Sequence, residues 1–423
     1  MTQASAGSTG QANYHWRAII AASIGNALEW FDFVVYGFFA GTIAKLFFPM
    51  VDETTSLLVT LATFGVTFFM RPFGALVIGS YADRHGRKTA FSLTIILMTV
   101  GTALIVIAPT YSSIGIWAPI LIVVARLVQG FSAGAEFGSA TAFLAEQDPK
   151  RRGFFASWQF ASQGLTTVLA TAFGVVLATN LTPGQMDTWG WRVPFIFGLL
   201  IGPVAYYIRQ HIDETAEFKG AAISSAPLRE AFAVGKERLL ISFGAVVLSN
   251  ATMYMVLFMP TYAARQLGLS ASSGFIGGLL TGVVQVLLVP IVGSLSDRYG
   301  RLPIGFASAG AILVLIYPMF VWLAASPSLQ TLVIVQIIIG ILLSGYTGGL
   351  PALMSELFPT RLRTTGLSVS YAFAAAIFGG FAPFISAWLI QATGIKEAPS
   401  FYVMFAAIIS LAALFGARRN GLR

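Results

Sequence analysis

Gly79-Ser80-Tyr81-Ala82-Asp83-Arg84-His85-Gly86-Arg87 returns 214 residues later as Gly293-Ser294-Leu295-Ser296-Asp297-Arg298-Tyr299-Gly300-Arg301. Each copy sits where one long apolar stretch ends and the next begins. Farther on, Glu146, Pro149 and Arg151 return as Glu356, Pro359 and Arg361, at an offset of 210. Two separate matches at nearly one offset indicate a chain made of two duplicated halves. The glycines allow tight turns between antiparallel helices. The Asp and Arg can pair with each other and with neighbouring helix ends. Asp83, Arg87, Asp297 and Arg301 are therefore expected to latch one half against the other at one membrane face.

Composition sets the environment of those halves. The 423 residues are 56% hydrophobic and only 10% charged, with a mean hydropathy of +0.79. A soluble domain carries about 25% charged residues, so this chain has too little polar material to coat a globule. Apolar stretches near or beyond the ~20 residues needed to cross hydrocarbon recur throughout. They are read at 18–48, 54–81, 88–108, 114–145, 154–180, 190–209, 238–263, 272–295, 302–324, 328–354, 364–392 and 400–418. The expected fold is an all-α polytopic membrane protein of 12 transmembrane helices in two pseudo-symmetric six-helix bundles. Residues 1–17 form a polar tail, 18–209 the first bundle, 210–237 a polar linker, 238–418 the second bundle and 419–423 a short tail.

The net charge of +8 follows the topology. Lys45, Arg192, Arg265 and Lys396 lie on one side of the spans. All other basic residues except Arg71 and Arg126 lie on the opposite side, which includes both termini. The positive-inside rule places that richer side, and both termini, in the cytoplasm. A nucleic-acid surface would need these charges gathered on one folded face, and no such partner is expected. Cysteine is absent, which removes thiolate catalysis and Cys-based metal sites. His15, His85 and His211 fall in polar segments at helix ends, so no buried His metal site is expected. The spans also carry no nucleophile–base pair or phosphate loop, which excludes a membrane enzyme.

Five ionisable side chains nevertheless lie inside apolar spans: Glu29, Asp32, Arg71, Arg126 and Glu136. At roughly 3 kcal/mol each, unpaired, they would sum to about 12–18 kcal/mol, so they must pair or face a hydrated pathway. At 100° per residue, Asn26, Glu29, Asp32 and Tyr36 fall within about 120° of one helix face, and Arg126, Gln129 and Glu136 within about 80°. Gln159 and Gln163 are one turn apart. Depth places Glu29, Arg71 and Glu136 together on the inner half and pairs Asp32 with Arg126 near the centre. Fully ionised, three carboxylates face two guanidiniums, and a buried carboxylate lacking a partner tends to bind a proton. Glu136 or Glu29 is expected to exchange a coupling proton, with Asp32 and Arg71 in the same network. Arg126, a planar fork that stays charged, is expected to bind a substrate carboxylate. The second half offers neutral groups only: Asn250, Tyr254, Gln285, Tyr346 and Tyr371. Gly130, Gly134 and Gly138 read as close-packing positions.

The doubled G-x-x-x-D-R-x-G-R loop resembles the signature of the major facilitator superfamily, whose halves are repeats about an axis along the membrane normal. Arg126-Leu127-Val128-Gln129-Gly130 resembles that superfamily's second motif, whose arginine is associated with proton coupling. Asn26-Ala27-Leu28-Glu29-Trp30-Phe31-Asp32-Phe33, Met70-Arg71-Pro72, the run from Gln129 to Glu136 and Asp213-Glu214-Thr215 narrow the resemblance to the metabolite–proton symporters. Ser157-Trp158-Gln159 and the run from Ile377 to Pro383 extend it toward the citrate–proton symporters of bacteria. The resemblance implies a monomer that imports a small organic acid with a proton across the lipid bilayer and needs no cofactor besides H+. Citrate or a related di- or tricarboxylate is the expected substrate. Ketoglutarate, shikimate, proline or betaine, or uncoupled facilitation, are the alternatives.

Overall fold

The computed structural model describes residues 19, 23, 26–27, 30–50, 52–85, 87–134, 136–210 and 236–422. The side chains of 79–92, 201, 204–206, 208–210 and 361 lie outside that description. So do Glu29, the tail at 1–17, residues 211–235 of the expected linker, and the side chains of Asp83 and Arg87.

Helices follow one another in chain order with short polar caps between them. Span 1 is Trp30–Phe38 continued by Ala40–Phe47, with a bend of 72° between the two. Span 2 joins Glu53–Phe69 to Arg71–His85, span 3 is Arg87–Ile107, and span 4 joins Trp117–Ser132 to Glu136–Ala145. Spans 5 and 6 are Arg152–Asn180 and Arg192–Gln210. Spans 7, 8 and 9 are Lys236–Gln266, Ala271–Tyr299 and Arg301–Ala325. Span 10 joins Leu329–Thr347 to Leu350–Leu357, span 11 runs from Thr360–Ala374 through a π turn at Ala375–Gly380 into Ala382–Thr393, and span 12 is Ala398–Arg419. Among the described residues 9 helices are long and apolar enough to cross a membrane, or up to 10 if the bent first pair is one span. Spans 3 and 6 complete the series of twelve.

Local chemistry starts and interrupts these helices. Asp52 accepts from Thr55 N at 2.8 Å and opens span 2. Ser270 and Ser328 do the same for spans 8 and 10 through Ser273 N and Thr331 N. Such caps satisfy amides that have no partner inside the helix. Span 2 breaks at Met70, just before Pro72, which has no amide hydrogen to continue the ladder. Both halves interrupt their fourth helix, span 4 around Ala133-Gly134 and span 10 at Gly348-Gly349. Gly134 and Gly348 are 214 residues apart, so the repeat seen in the loop motifs extends to helix geometry. Sequence periodicity anticipates each of these spans but not its break.

The halves meet along two seams. Span 5 packs against span 8, and span 11 packs against spans 2 and 4. The first seam is antiparallel and closely packed because glycines face backbone: Gly153 opposite Gly293, and Gly164 opposite Gly282. A Cβ at any of these four positions would meet the partner helix at less than van der Waals distance. Gly130 and Gly134 play the same part inside the first half, against Thr67 and against Arg71 and Ala75 of span 2. Gly138 lies against Thr364 and Ser368 of span 11.

Candidate functional site: a buried polar cluster between the halves

Two guanidiniums sit where the first four spans converge, embedded in aromatic rings. Arg126 is fully buried, its Cζ 4.3 Å from the Tyr36 ring centroid, 5.2 Å from Phe33 and 5.6 Å from Phe64. Arg71 lies 4.3 Å from Trp30, 4.8 Å from Phe33 and 4.3 Å from Phe68. Phe33 is thus shared by both cations. Ring faces stabilise a desolvated cation by about 2 kcal/mol each at best, which helps two like charges occupy neighbouring positions. Nε and Nη2 of both arginines are buried without a hydrogen-bond partner. Unpaired buried donors of this kind are unusual in folded proteins.

Arg126 and Asp32 do not touch. Arg126 Nη1 donates to Gln129 Oε1 at 2.7 Å, Gln129 Nε2 donates to Thr102 Oγ1 at 3.0 Å, and Thr102 Oγ1 donates to Asp32 Oδ2. The expected Asp32–Arg126 pair is therefore a four-member chain across spans 1, 3 and 4, in which every donor points toward the carboxylate. Thr102 was not legible as a member; one threonine among several on an apolar span carries no distinguishing signal. Phe33 could have been found, since it lies one heptad from Asn26 and within the same helical arc.

The other expected residues divide into paired and unpaired groups. Asn26 Nδ2 donates to Ser162 Oγ at 2.7 Å and to Gln159 O at 3.3 Å, while Gln159 Nε2 donates back to Asn26 Oδ1 at 3.1 Å. These two residues tie span 1 to span 5. Tyr346 donates to Ala245 O at 2.6 Å, joining spans 10 and 7, and Tyr36 reaches Thr60 O at 3.5 Å. By contrast, both amide atoms of Asn250 are buried without partners, while Gln163 and Tyr254 turn their polar groups to the Tyr371 hydroxyl. Tyr371 stacks on Phe137 at 3.5 Å between centroids and meets Trp30 edge-on at 6.2 Å. Tyr254 packs edge-on against Phe68 at 5.2 Å. Gln163 and Tyr254 neighbour Tyr371, and Arg71 acts on both tyrosines electrostatically. Gln163 of one half and Tyr254 and Tyr371 of the other therefore meet close to Arg71. Gly379 in the π turn of span 11 lies against Tyr254 and Asn250; π turns of this kind recur at functional sites. Gln285 is buried on span 8 beside Gly164. Glu136 is half-buried at the start of the second segment of span 4. A separate cavity of about 410 Å³ behind Phe48, Val59 and Ile120 has an almost wholly apolar lining and lies apart from these groups.

Contacts at both ends join the two halves. At the end bearing the repeated motifs, Asp297 accepts from Gly153 N at 2.8 Å and Phe154 N at 3.0 Å, the first amides of span 5. A carboxylate there satisfies amides left open by the helix and complements its dipole. Arg301 holds Asp297 at 2.7 Å and Glu356 at 3.3 Å. Arg363 meets Glu146 at 2.7 Å across the second seam, both side chains 7% exposed. At the opposite end Arg265 of span 7 donates to Glu53 O at 3.2 Å, and Phe39 packs on Phe275 at 5.4 Å.

Two helical bundles meeting around buried charge, joined by contacts at either end, are the build of a secondary transporter rather than an enzyme. The Major Facilitator Superfamily profile matches residues 22–322 and 279–420, and the chain belongs to that family. It is 39% identical over 401 residues to the citrate–proton symporter of Klebsiella pneumoniae, covering 94% of this chain and 90% of the relative. To the citrate–proton symporter of Salmonella typhi it is 38% identical, covering 94% and 92%. It is also 33% identical over 410 residues to the proline/betaine transporter of Escherichia coli (strain K12), covering 93% and 82%. The solved D-xylose–proton symporter shares the fold, with a TM-score of 0.74 at 15% identity over 95% of this chain and 97% of that one.

Proposed function

We propose that the chain is a proton-coupled symporter that imports a small organic anion, citrate or a related di- or tricarboxylate, across the bacterial inner membrane as a monomer. The motif end faces the cytoplasm, as do both termini. The observation that carries this reading is the pair of buried guanidiniums whose Nε and Nη2 are unbonded. A carboxylate fits such a fork in bidentate fashion, and a multivalent anion suits two of them. Arg126 holds one carboxylate and Arg71 another. Gln163, Asn250, Tyr254 and Tyr371 supply neutral hydrogen bonds from both halves, so the bound anion ties the halves together. Asp32, whose Oδ1 is buried and unbonded, takes the coupling proton. Glu136 passes that proton on toward the cytoplasm; Glu29, expected to share that role, lies outside the described residues. The names of the relatives at 38–39% identity support citrate.

A zwitterionic compatible solute is the second reading. The relative at 33% favours it, as do the rings of Trp30, Phe64, Phe68 and Tyr254, since aromatic walls suit a quaternary ammonium group. Proteoliposome uptake separates the two. Labelled citrate should accumulate only under an inward proton gradient and be displaced by unlabelled di- and tricarboxylates. Accumulation of betaine or proline with citrate ignored would replace the first reading by the second. Citrate entry indifferent to the gradient would leave a facilitator.

A further inference from the structure

Asp32 is held by two elements that contribute no charge. Its Oδ2 accepts from Thr102 of span 3. Its Oδ1 lies where a Cβ on Gly198 of span 6 would fall, and has no hydrogen-bond partner. The two carboxylate oxygens are therefore unlike: one is bonded, the other is bare against a glycine. Thr102 is itself poised between two acceptors, since its Oγ1 also lies 3.1 Å from Met98 O. It has one hydroxyl hydrogen and two lone pairs, and Gln129 Nε2 already occupies one lone pair.

We propose that Thr102 and Gln129 are positioning residues that carry the protonation state of Asp32 to Arg126, while Gly198 keeps Oδ1 clear to receive the proton. With Asp32 ionised, Thr102 donates to it, Gln129 donates to Thr102, and Arg126 donates to Gln129. When a proton from solvent binds Oδ1, the carboxylate loses its charge and its pull on the chain. The Thr102 hydrogen is then free to turn to Met98 O, a change of hydrogen bonds in which no covalent bond other than the new O–H is made. Gln129 Oε1 then holds Arg126 less firmly, and Nη1 becomes available to a substrate carboxylate. Proton first, anion second is the order that results. Arg126 on span 4 is the charged side chain acting on Asp32 among the described residues. Span 3 presents Thr102 and span 6 Gly198, neither ionisable, and Glu29 of span 1 lies outside the described residues. The inference rests on Asp32 being the coupling carboxylate, and the test separates the two claims.

The experiment is pH-titrated infrared difference spectroscopy of the buried carboxyl C=O band, on the full chain in lipid and without substrate. Asp32→Asn should remove the band, which assigns it. A carboxylate that loses a donor keeps its proton to higher pH. Thr102→Val should therefore move the band's midpoint alkaline by about one pH unit, the size expected for one hydrogen bond to a charged group. Thr102→Ser should restore it, and Thr102→Ala serves if the valine variant does not reach the membrane. Gln129→Leu should shift the midpoint in the same direction, and the double variant should show no more shift than Thr102→Val alone. A midpoint unmoved in Thr102→Val or Thr102→Ala, or fully additive shifts, overturns the relay while leaving Asp32 as the proton site. A band that survives Asp32→Asn overturns both.

Discussion

Replacing Asp297 by Asn should open the motif end. Asp297 accepts two amide hydrogens at the start of span 5, at 2.8 Å and 3.0 Å, and pairs with Arg301 at 2.7 Å. Span 5 belongs to one half and span 8 to the other, so these bonds exist only while that end is shut. Hydrogen bonds to a charged acceptor contribute about 1.5–3 kcal/mol each. The asparagine keeps one weaker acceptor, so the net loss is about 2–4 kcal/mol. That is a shift of roughly 30- to 1,000-fold in the shut-to-open ratio, which levels a population of about 30 to 1 at the lower end and reverses it at the upper. Because the chain has no native cysteine, Lys150→Cys and Arg298→Cys, both on exposed residues of the motif end, can carry a spin-label pair without background. Pulsed electron paramagnetic resonance should show a short distance in the parent and a longer one in the Asp297→Asn variant. An unchanged distance distribution in a variant with normal thermal stability would refute the claim that this contact holds the end shut.

Other consequences follow from the same geometry. Glu146→Gln and Arg363→Gln should each lengthen the same distance, with the double variant giving less than the sum; simple additivity would show that the 2.7 Å pair does not couple across the seam. Gly164→Leu should lower the melting temperature through about 1–3 kcal/mol of overpacking and block exchange, because span 8 lies against that glycine; normal counterflow would show that the seam is not closely packed during transport. Arg126→Lys keeps the charge but loses the fork, so citrate should bind at least about tenfold more weakly by calorimetry; unchanged affinity would remove Arg126 from the site.

The fold was legible to a depth set by what repeats. The doubled Asp/Arg loop and the lengths of the apolar runs locate the helices, because hydrocarbon thickness and backbone hydrogen bonding leave few alternatives. The break at Phe39 was not legible. Gly37, two residues before it, lies beneath Leu257 of span 7, a contact from the other half of the chain that no local pattern shows. Helical phase brought Arg126 and Gln129 together correctly, since one turn of a helix suffices. It placed Asp32 near Arg126 but could not supply Thr102, because the bridging group comes from a third helix whose rotation no local pattern fixes. Asn26 and Gln159 read as solute contacts from their polarity. In the structure they bond each other, an outcome that residue type alone does not distinguish. The unpaired amide of Asn250 and the meeting of Gln163 with Tyr371 appear only when both halves are assembled.

The proposed mechanism gives the proton and the anion separate seats, Asp32 for one and the two arginines for the other. The most direct measurement compares labelled citrate in two modes for the Asp32→Asn variant in proteoliposomes: accumulation driven by a proton gradient, and counterflow, which needs no net proton movement. Accumulation should vanish while counterflow continues. Undiminished accumulation by that variant would contradict the assignment of the proton to Asp32, and loss of both modes in a normally folded variant would place Asp32 in anion binding instead.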